Sequence, residues 1–305
     1  PMAARVAIRS VGLGSAKLPV LGYGTGTAWF KTGEDCNSSS RELDKKVIAG
    51  VKAALHAGFH HIDCAEIYGT ELEVGAALKD HMRETGMKRD ALFITTKVLT
   101  NIADTKQAAI DSLSRLGLDY VDLYLIHSPF KEEFDLEKTW RVMEQLVDSG
   151  LSKAVGVSNF RQTDLVSLLS FARIRPVVNQ IEAHPYLQQS ELFAYCKAED
   201  ILIEAYSPQL PLTHAKGGPV DAVVDSIAVK HGCTAGQVLL LWSLQSGFVP
   251  ITTSNQPARL TEYLLAAEEG SKLELSKEEV AAISAAGNQQ RTRKYWGPQY
   301  AASGL

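Results

Sequence analysis

Val121-Asp-Leu-Tyr-Leu-Ile126-His127 is an apolar run of strand length that ends on an imidazole, and it lies between two longer segments of helical period, Ile102 to Leu116 and Leu136 to Ser149. That pattern recurs along the chain. Further strand-length runs cover Val20 to Tyr23, His60 to Asp63, Leu92 to Thr95, Ala154 to Val157, Val177 to Asn179, Leu202 to Glu204 and Phe248 to Pro250. Amphipathic stretches separate them, among them Glu42 to Ala57, Glu71 to Glu84, Arg161 to Ala172, Ser190 to Ala198 and Ala222 to Leu244, the last long enough for two helices. Alternation of periods near 2 and 3.6 is the mark of βα units. Eight parallel strands with short connections predict a closed (β/α)8 TIM barrel, an α/β fold; a doubly wound open sheet is the competing arrangement.

Outside the repeat, residues 5 to 19 read as an N-terminal hairpin, and the tail from Gly287 onward, aperiodic and carrying Arg291, Arg293, Tyr295, Trp296 and Tyr300, reads as a C-terminal active-site loop. The 305 residues contain 45% hydrophobic side chains and no Pro/Gly/Ser-rich linker, so one domain over residues 1–305 is expected. A net charge of −4 without a local basic patch argues against nucleic acid or anionic lipid as a partner. Cys36, Cys64, Cys196 and Cys233 are scattered, with no CxxC pair, which fits reduced thiols in a cytoplasmic protein and no bound metal. No apolar run spans a membrane and no leader pattern opens the chain; Pro1, ahead of Met2, reads as a remnant. A monomer is expected.

A barrel places its working residues at the carboxyl ends of its strands. Asp63 and Tyr68 follow the second strand, Lys97 the third and His127 the fourth. Each has an ordinary reading taken alone: a capping Asp, a half-buried Tyr, a surface Lys, a satisfied core His. Joint placement at one mouth favours chemistry. A phenol with a reference pKa of about 10 is a poor acid near neutrality, and an adjacent ammonium lowers that value. Lys97 is expected to supply this charge, Asp63 to hold Lys97 protonated and oriented, and His127 to hydrogen-bond near the phenol, fixing a substrate carbonyl or relaying a proton. The product is a general acid aimed at a carbonyl oxygen.

Other signals carry less. Gly22-Tyr-Gly24-Thr-Gly26 has GxGxG spacing without a following helix start, and reads as a tight turn under the mouth rather than a dinucleotide fingerprint. His56, His60 and His61 are interrupted by Gly58 and read as structural. Cys64 points away from Asp63 by strand alternation and reads as packing. His184 is left open.

With these motifs in hand, the chain resembles the aldo-keto reductases over nearly its whole length. The likeness rests on Gly58-Phe-His-His-Ile-Asp63-Cys-Ala-Glu-Ile-Tyr68 with Glu73-Val-Gly75, and on Leu116-Gly-Leu-Asp119-Tyr-Val-Asp122-Leu-Tyr-Leu-Ile-His127. It is extended by Thr96-Lys97, Val155-Gly-Val-Ser158-Asn159-Phe160, Val178-Asn-Gln180-Ile-Glu182 and Glu204-Ala-Tyr206-Ser207-Pro208. The resemblance implies NADPH-dependent reduction of aldehydes or ketones, with Tyr68, Lys97, Asp63 and His127 as a catalytic tetrad. It further implies that Ser158, Asn159 and Gln180 hold the nicotinamide carboxamide and that Tyr206 stacks on the ring. Gly24, Thr25, Asp63, Ser207, Pro208, Leu210, Thr253, Ser254, Arg259 and Glu262 complete the implied cofactor contacts.

Ile251-Thr-Thr253-Ser254 departs from the family's usual Pro-Lys-Ser, and Tyr263 replaces a common asparagine. Arg259 still suits a 2′-phosphate through its planar fork. NADPH is therefore expected, with some NADH use. A narrower likeness, to fungal and yeast conjugated polyketone or ketopantoyl lactone reductases, lies in Gly24-Thr-Gly26-Thr27, His127-Ser-Pro-Phe130 and the Thr-Thr-Ser substitution. It implies activated ketones, α-dicarbonyls or α-keto esters as substrates, with Trp29, Phe30, His127, Phe130 and Trp296 as pocket walls; Trp296 reads equally as packing. The rival functions are an alcohol or sugar dehydrogenase working oxidatively, a cofactor-sensing regulatory subunit with slow turnover, and, weakly, metal-dependent hydrolysis.

Overall fold

The computed structural model describes residues 8–10, 17–31, 37–38, 40–131, 134–268 and 271–302. Pro1, Met2, Cys36 and most of the predicted hairpin's first arm and turn lie outside them. Two short strands remain of that hairpin, β1 (Ile8–Ser10) and β2 (Lys17–Pro19), paired antiparallel. The next strands are β3 (Gly22–Gly24), β4 (His61–Asp63), β5 (Phe93–Val98), β6 (Val121–Ile126), β7 (Ser152–Ser158), β8 (Val178–Glu182), β9 (Leu202–Tyr206) and β10 (Val249–Thr252). They are parallel and close in the order β10-β3-β4-β5-β6-β7-β8-β9. The closed barrel is therefore confirmed over the open sheet. Leu18 of β2 is fully buried in one cluster with Phe93, Leu123, Ala154, Val178 and Val249, so the hairpin plugs the amino-terminal end of the barrel.

Helices α1 (Lys45–Ala57), α2 (Glu71–Thr85), α3 (Thr105–Leu116), α4 (Leu136–Asp148), α5 (Gln162–Leu169) and α6 (Ser190–Ala198) connect successive strands. Their limits follow local chemistry. The Asp44 carboxylate caps α1 at Lys46 N, and Asp104 caps α3 at Gln107 N, while Gly58 and Gly117 end these helices in the left-handed conformation that a residue without Cβ adopts freely. Between β9 and β10 lie α7 (Leu210–Thr213), α8 (Pro219–His231) and α9 (Ala235–Gln245); left-handed Gly232 and the Thr234–Gln237 capping box split the expected long segment into two helices. α10 (Pro257–Ala267), α11 (Lys277–Gly287) and α12 (Gly297–Ala301) follow the last strand. The main core fills the layer between barrel and helices. Close approach is demanded at Gly75 of α2, where a Cβ would stand 2.6 Å from the Leu116 carbonyl oxygen at the end of α3.

Several strands run past the ends that their apolar residues predict: β5 and β8 by three residues, to Val98 and Glu182, and β9 and β10 by two, to Tyr206 and Thr252. β5 continues past Thr95 through Thr96 and Lys97, both fully buried, and β7 reaches Ser158. Of these side chains Lys97 and Ser158 face the barrel interior near its mouth, whereas Thr96 points outward and donates to the Glu71 carboxylate of α2. Among the described residues, no helix is long and apolar enough to cross a membrane, and no group of three His, Cys, Asp or Glu side chains is arranged to hold a metal.

Candidate active site

Register brings the candidate residues together. Asp63 is level with Gly24 and Thr95, Lys97 with Leu125, and Gln180 with both Ser158 and Glu204. Tyr68 ends a single 3-10 turn, Glu66–Tyr68, which Glu66 ties down by accepting the backbone N–H groups of Leu99 and Thr100, each at 3.1 Å.

Lys97 is fully buried and its Nζ is completely engaged: 2.7 and 2.8 Å from the two Asp63 oxygens, 2.7 Å from the Cys64 carbonyl and 3.4 Å from the Tyr68 hydroxyl. Burial alone would favour the neutral amine, yet the Asp63 charge overcomes it and the Lys97 pKa ends above the ordinary value. The phenol behaves differently from the sequence expectation. Burial pushes Tyr68 up to about 12, and Lys97 opposes this only in part, so Tyr68 stays protonated through the neutral range. Desolvation costs the phenolate more than one ammonium, already paired with a carboxylate, returns. His127 likewise corrects expectation: its ring meets that of Tyr68 edge to face at 5.5 Å, and its buried Nδ1 has no partner among the described residues. Burial, then Lys97, holds its pKa well below the usual value, making it a neutral imidazole and not a cationic acid. The Cys64 thiol is pushed up by burial and is unreactive packing.

Beside this group lies a ledge of buried polar heads. Ser158 Oγ donates to the Gln180 carbonyl at 2.7 Å; Asn159 Nδ2 donates to the His127 carbonyl at 2.9 Å; Tyr206 donates its hydroxyl proton to Asn159 Oδ1 at 2.8 Å. Asn159 (φ 61°), Ser207 (φ 57°) and Trp296 (φ 59°) are left-handed non-glycine residues, all at this mouth. Such conformations cost about 1–2 kcal/mol each and persist where the surroundings dictate them.

The remaining candidates divide. Phe30 faces Tyr68 with ring centroids 6.0 Å apart, Trp296 stands 6.5 Å from His127, and Phe130 lies 5.7 Å from Trp296 and 5.2 Å from Tyr300, so these aromatics wall the mouth. Trp29 is not brought there. Its Nε1 donates to the Tyr23 hydroxyl at 3.1 Å, and its ring fills the slot left by Gly50 of α1, where a Cβ would meet it at 2.7 Å. Gly24 and Gly26 are also not a tight turn under the mouth: Gly22–Gly24 is strand β3, and the chain turns after it, at 27–29. A Cβ at Gly26 would press on the Tyr68 ring at 2.8 Å, so backbone lies flat against the phenol. Thr25 is buried with its hydroxyl bonded to the Asp63 carbonyl and to Thr70, each at 3.0 Å, which directs it inward. Pro208 and Leu210 are buried beside β9, and half-buried Thr253, buried Ser254 and exposed Arg259 sit at the amino-terminal end of α10, with half-buried Glu262 one turn on. Tyr263 is buried, its ring 3.2 Å from where a Gly236 Cβ would stand.

Sequence reasoning passed over the group that seats the tail. Buried Glu182 accepts the backbone N–H groups of Lys294 and Tyr295, both at 2.9 Å, and pairs with His184 at 3.0 Å. Tyr300 donates to the Asn159 carbonyl at 3.0 Å. Acidic residues inside otherwise apolar strands, Glu182 and Glu204, were the available signal.

Fold and mouth together define a (β/α)8-barrel enzyme whose buried polar and titratable groups converge at the carboxyl ends of its strands. The sequence pattern of the Aldo/keto reductase family matches residues 21–288, and the chain belongs to that family, as an oxidoreductase. It is similar to a Schizosaccharomyces pombe NAD/NADP-dependent indole-3-acetaldehyde reductase (42% identical over 253 residues, 81% of this chain and 86% of the relative). It is similar also to a Saccharomyces cerevisiae NADPH-dependent alpha-keto amide reductase (37% over 299 residues, 93% and 92%). Among solved structures, a Bombyx mori aldo-keto reductase in complex with NADP superposes with a TM-score of 0.83 at 30% identity, covering 96% of each chain. The fungal relatives agree with the narrower likeness read from the sequence.

Proposed function

We propose that this single-domain barrel reduces aldehydes or ketones to alcohols with NADPH, Tyr68 giving the proton to the carbonyl oxygen. The carrying observation is the fully buried Lys97 ammonium, clamped by Asp63 and 3.4 Å from the phenol oxygen. The residues fit a nicotinamide cofactor. Gln180 directs its Nε2 into the protein, to Asp63 at 2.9 Å and Glu204 at 2.7 Å, which leaves its side-chain oxygen to accept from a carboxamide. Ser158 and Asn159 flank it, and Tyr206 offers a ring face. At the other end Ser254 and Arg259, at the start of α10, suit a 2′-phosphate, since loops after the last barrel strands and a following helix amino terminus form anion sites. NADH use is expected to be secondary.

When bound, the reduced cofactor supplies the hydride that the carbonyl carbon needs. The chain's own residues manage the oxygen. Tyr68, protonated at neutral pH, transfers its proton as negative charge grows there. The phenolate left behind faces Lys97, which Asp63 has kept charged and aimed, so the charge develops against a preorganised ammonium. Neutral His127 orients the carbonyl by hydrogen bonding and holds no net charge against the ammonium. The aromatic wall of Phe30, Phe130 and Trp296 excludes water and suits carbonyls with a flat or apolar body; activated ketones such as α-dicarbonyls, α-keto esters and α-keto amides are the proposed class. The test is a fluorescence titration with NADPH and NADH, followed by addition of an α-keto ester. Tight NADPH binding with oxidation on addition supports the reading; absence of binding overturns it.

A further inference from the structure

Glu204 is a fully buried carboxylic acid that the reaction above does not use. It lies on β9, level with Gln180 of β8, and its Oε2 accepts one Nε2 proton of Gln180 at 2.7 Å while Asp63 Oδ2 accepts from the same nitrogen at 2.9 Å. Its Oε1 has no hydrogen-bond partner among the described residues and stands 3.8 Å from His61 Nε2. We propose that Glu204 is a positioning residue held as a neutral acid, which fixes the Gln180 amide so that its oxygen is presented to the nicotinamide end of the site. The proposal rests on the cofactor reading above.

Charge arithmetic supports the neutral form. The groups facing Glu204 are His61 and Asp63 from β4, Lys97 from β5 and the uncharged Gln180 from β8. Lys97 is the one cation among them, and both Asp63 oxygens already engage it. His61 cannot serve as a second, because burial pushes it down to about 4. An ionised Glu204 would thus be a second, uncompensated anion in the barrel interior, and burial, then Asp63, pushes its pKa up to about 8. As a neutral acid it accepts from Gln180 without that cost. An amide whose two protons are both bonded inward has one orientation; with Glu204 gone, one proton is released and the amide turns about its χ3 bond.

The sign with pH follows. A folded pKa near 8 against an ordinary 4.5 means the folded protein keeps a proton that the unfolded chain releases, so Glu204 lowers stability progressively from about pH 4.5 to 8. Glu204→Gln, an uncharged isostere whose carbonyl still accepts from Gln180, is expected to gain in Tm over wild type as pH rises from 5 to 8, the gain levelling off above 8. NADPH affinity of Glu204→Gln should stay within about twofold of wild type at pH 7, while Glu204→Leu, which offers no acceptor, should lose about tenfold. Wild-type affinity should also weaken as pH passes about 8, where the ionised Glu204 repels Asp63 across the shared amide, and Glu204→Gln should show no such step. This last arm stands even where Glu204→Leu does not fold.

A merely structural role would lower the Tm of Glu204→Leu without changing affinity. It would also make the losses of Glu204→Leu and Gln180→Ala add, whereas positioning through Gln180 makes the first disappear in the second's background. Parallel Tm–pH curves for wild type and Glu204→Gln overturn the neutral acid; wild-type affinity in folded Glu204→Leu, or an unchanged pH step in Glu204→Gln, overturns the positioning. Wild type that binds no NADPH, with the Tm difference intact, overturns the cofactor reading instead.

Discussion

The Glu182 carboxylate at the end of β8 accepts the backbone N–H of Lys294 at 2.9 Å, joining the barrel to the tail 112 positions later. Tyr295 N–H bonds the same carboxylate, and its ring meets Tyr206 edge to face at 5.6 Å. Trp296 follows at once, so the wall beside His127 is placed by this anchor. Glu182→Gln keeps one acceptor oxygen and turns an NH2 group toward a backbone donor. A several-fold rise in KM for the carbonyl substrate is expected, with NADPH affinity unchanged and faster tryptic cleavage after Arg293 and Lys294, read by mass spectrometry. Equal cleavage and equal KM would remove the anchor role.

Tyr68→Phe deletes the proton that the proposed mechanism needs and leaves the ring between Phe30 and His127. Loss of general acid catalysis typically lowers turnover about 10²–10⁴-fold. NADPH affinity, measured by fluorescence quenching, should be close to wild type. Undiminished reduction would show that another group protonates the oxygen.

Lys97→Met removes the ammonium between Asp63 and Tyr68. Asp63 then lies buried with Gln180 as its remaining side-chain donor. Breaking one partner out of a buried ion pair costs about 3–5 kcal/mol, to be read as a lowered urea midpoint. Turnover should fall as well, because the phenolate loses its counter-charge. Lys97→Met combined with Asp63→Asn should recover part of the stability and none of the activity, which separates the two effects.

Alternation along the chain made the barrel legible, because a strand buried on both faces reads as an apolar run whatever its neighbours are. The same rule hid the polar carboxyl ends of β5, β7 and β8: Lys97, Ser158 and Gln180 read as loop but face the barrel interior, and Thr96 faces α2 through Glu71. Strand-end position located Asp63, Tyr68, Lys97 and His127, yet could not give the balance of burial against Lys97 that keeps the phenol protonated. Trp29 shows the limit most plainly. Its place in the chain puts it at the mouth, and a slot at Gly50 with an acceptor at Tyr23 takes it to the helix layer. Contacts between residues distant in sequence, such as Glu182 with Lys294, carry no periodicity and were not legible.

Arg259 is exposed in the first turn of α10, with Ser254 ahead of it and Thr253 where the family's lysine is usual. With that lysine absent, the cofactor site proposed above leaves the discrimination for a 2′-phosphate mainly to the arginine. Arg259→Ala should weaken NADPH about tenfold, the loss of a charge-assisted hydrogen bond, and change NADH little. Titrations of the variant with both cofactors check it, and equal losses for the two would place the phosphate elsewhere.

Glu73 gives the fold an acid-sensitive clamp behind the phenol. Its buried carboxylate is held by Lys31 and by Arg41, whose Nη2 lies 2.7 Å away, and it also accepts the Asp44 backbone N–H at 2.9 Å. Lys31 N–H in turn bonds the Tyr68 carbonyl at 3.0 Å, so Glu73 fastens Lys31, Arg41 and Asp44 beside the turn that carries Tyr68. Burial would raise the Glu73 pKa, but Arg41 and then Lys31 override it and bring it down to about 2. A folded value below the unfolded one means that this stabilisation is complete above about pH 4.5 and is lost as pH falls through 2. Glu73→Gln should therefore be less stable than wild type at pH 7, with the gap narrowing as pH drops from about 4.5 toward 2. Denaturant midpoints of both proteins between pH 7 and 2 test this. A gap that stays constant would mean that Glu73 contributes by shape alone, since a lost charge interaction must vanish once wild type has lost it too.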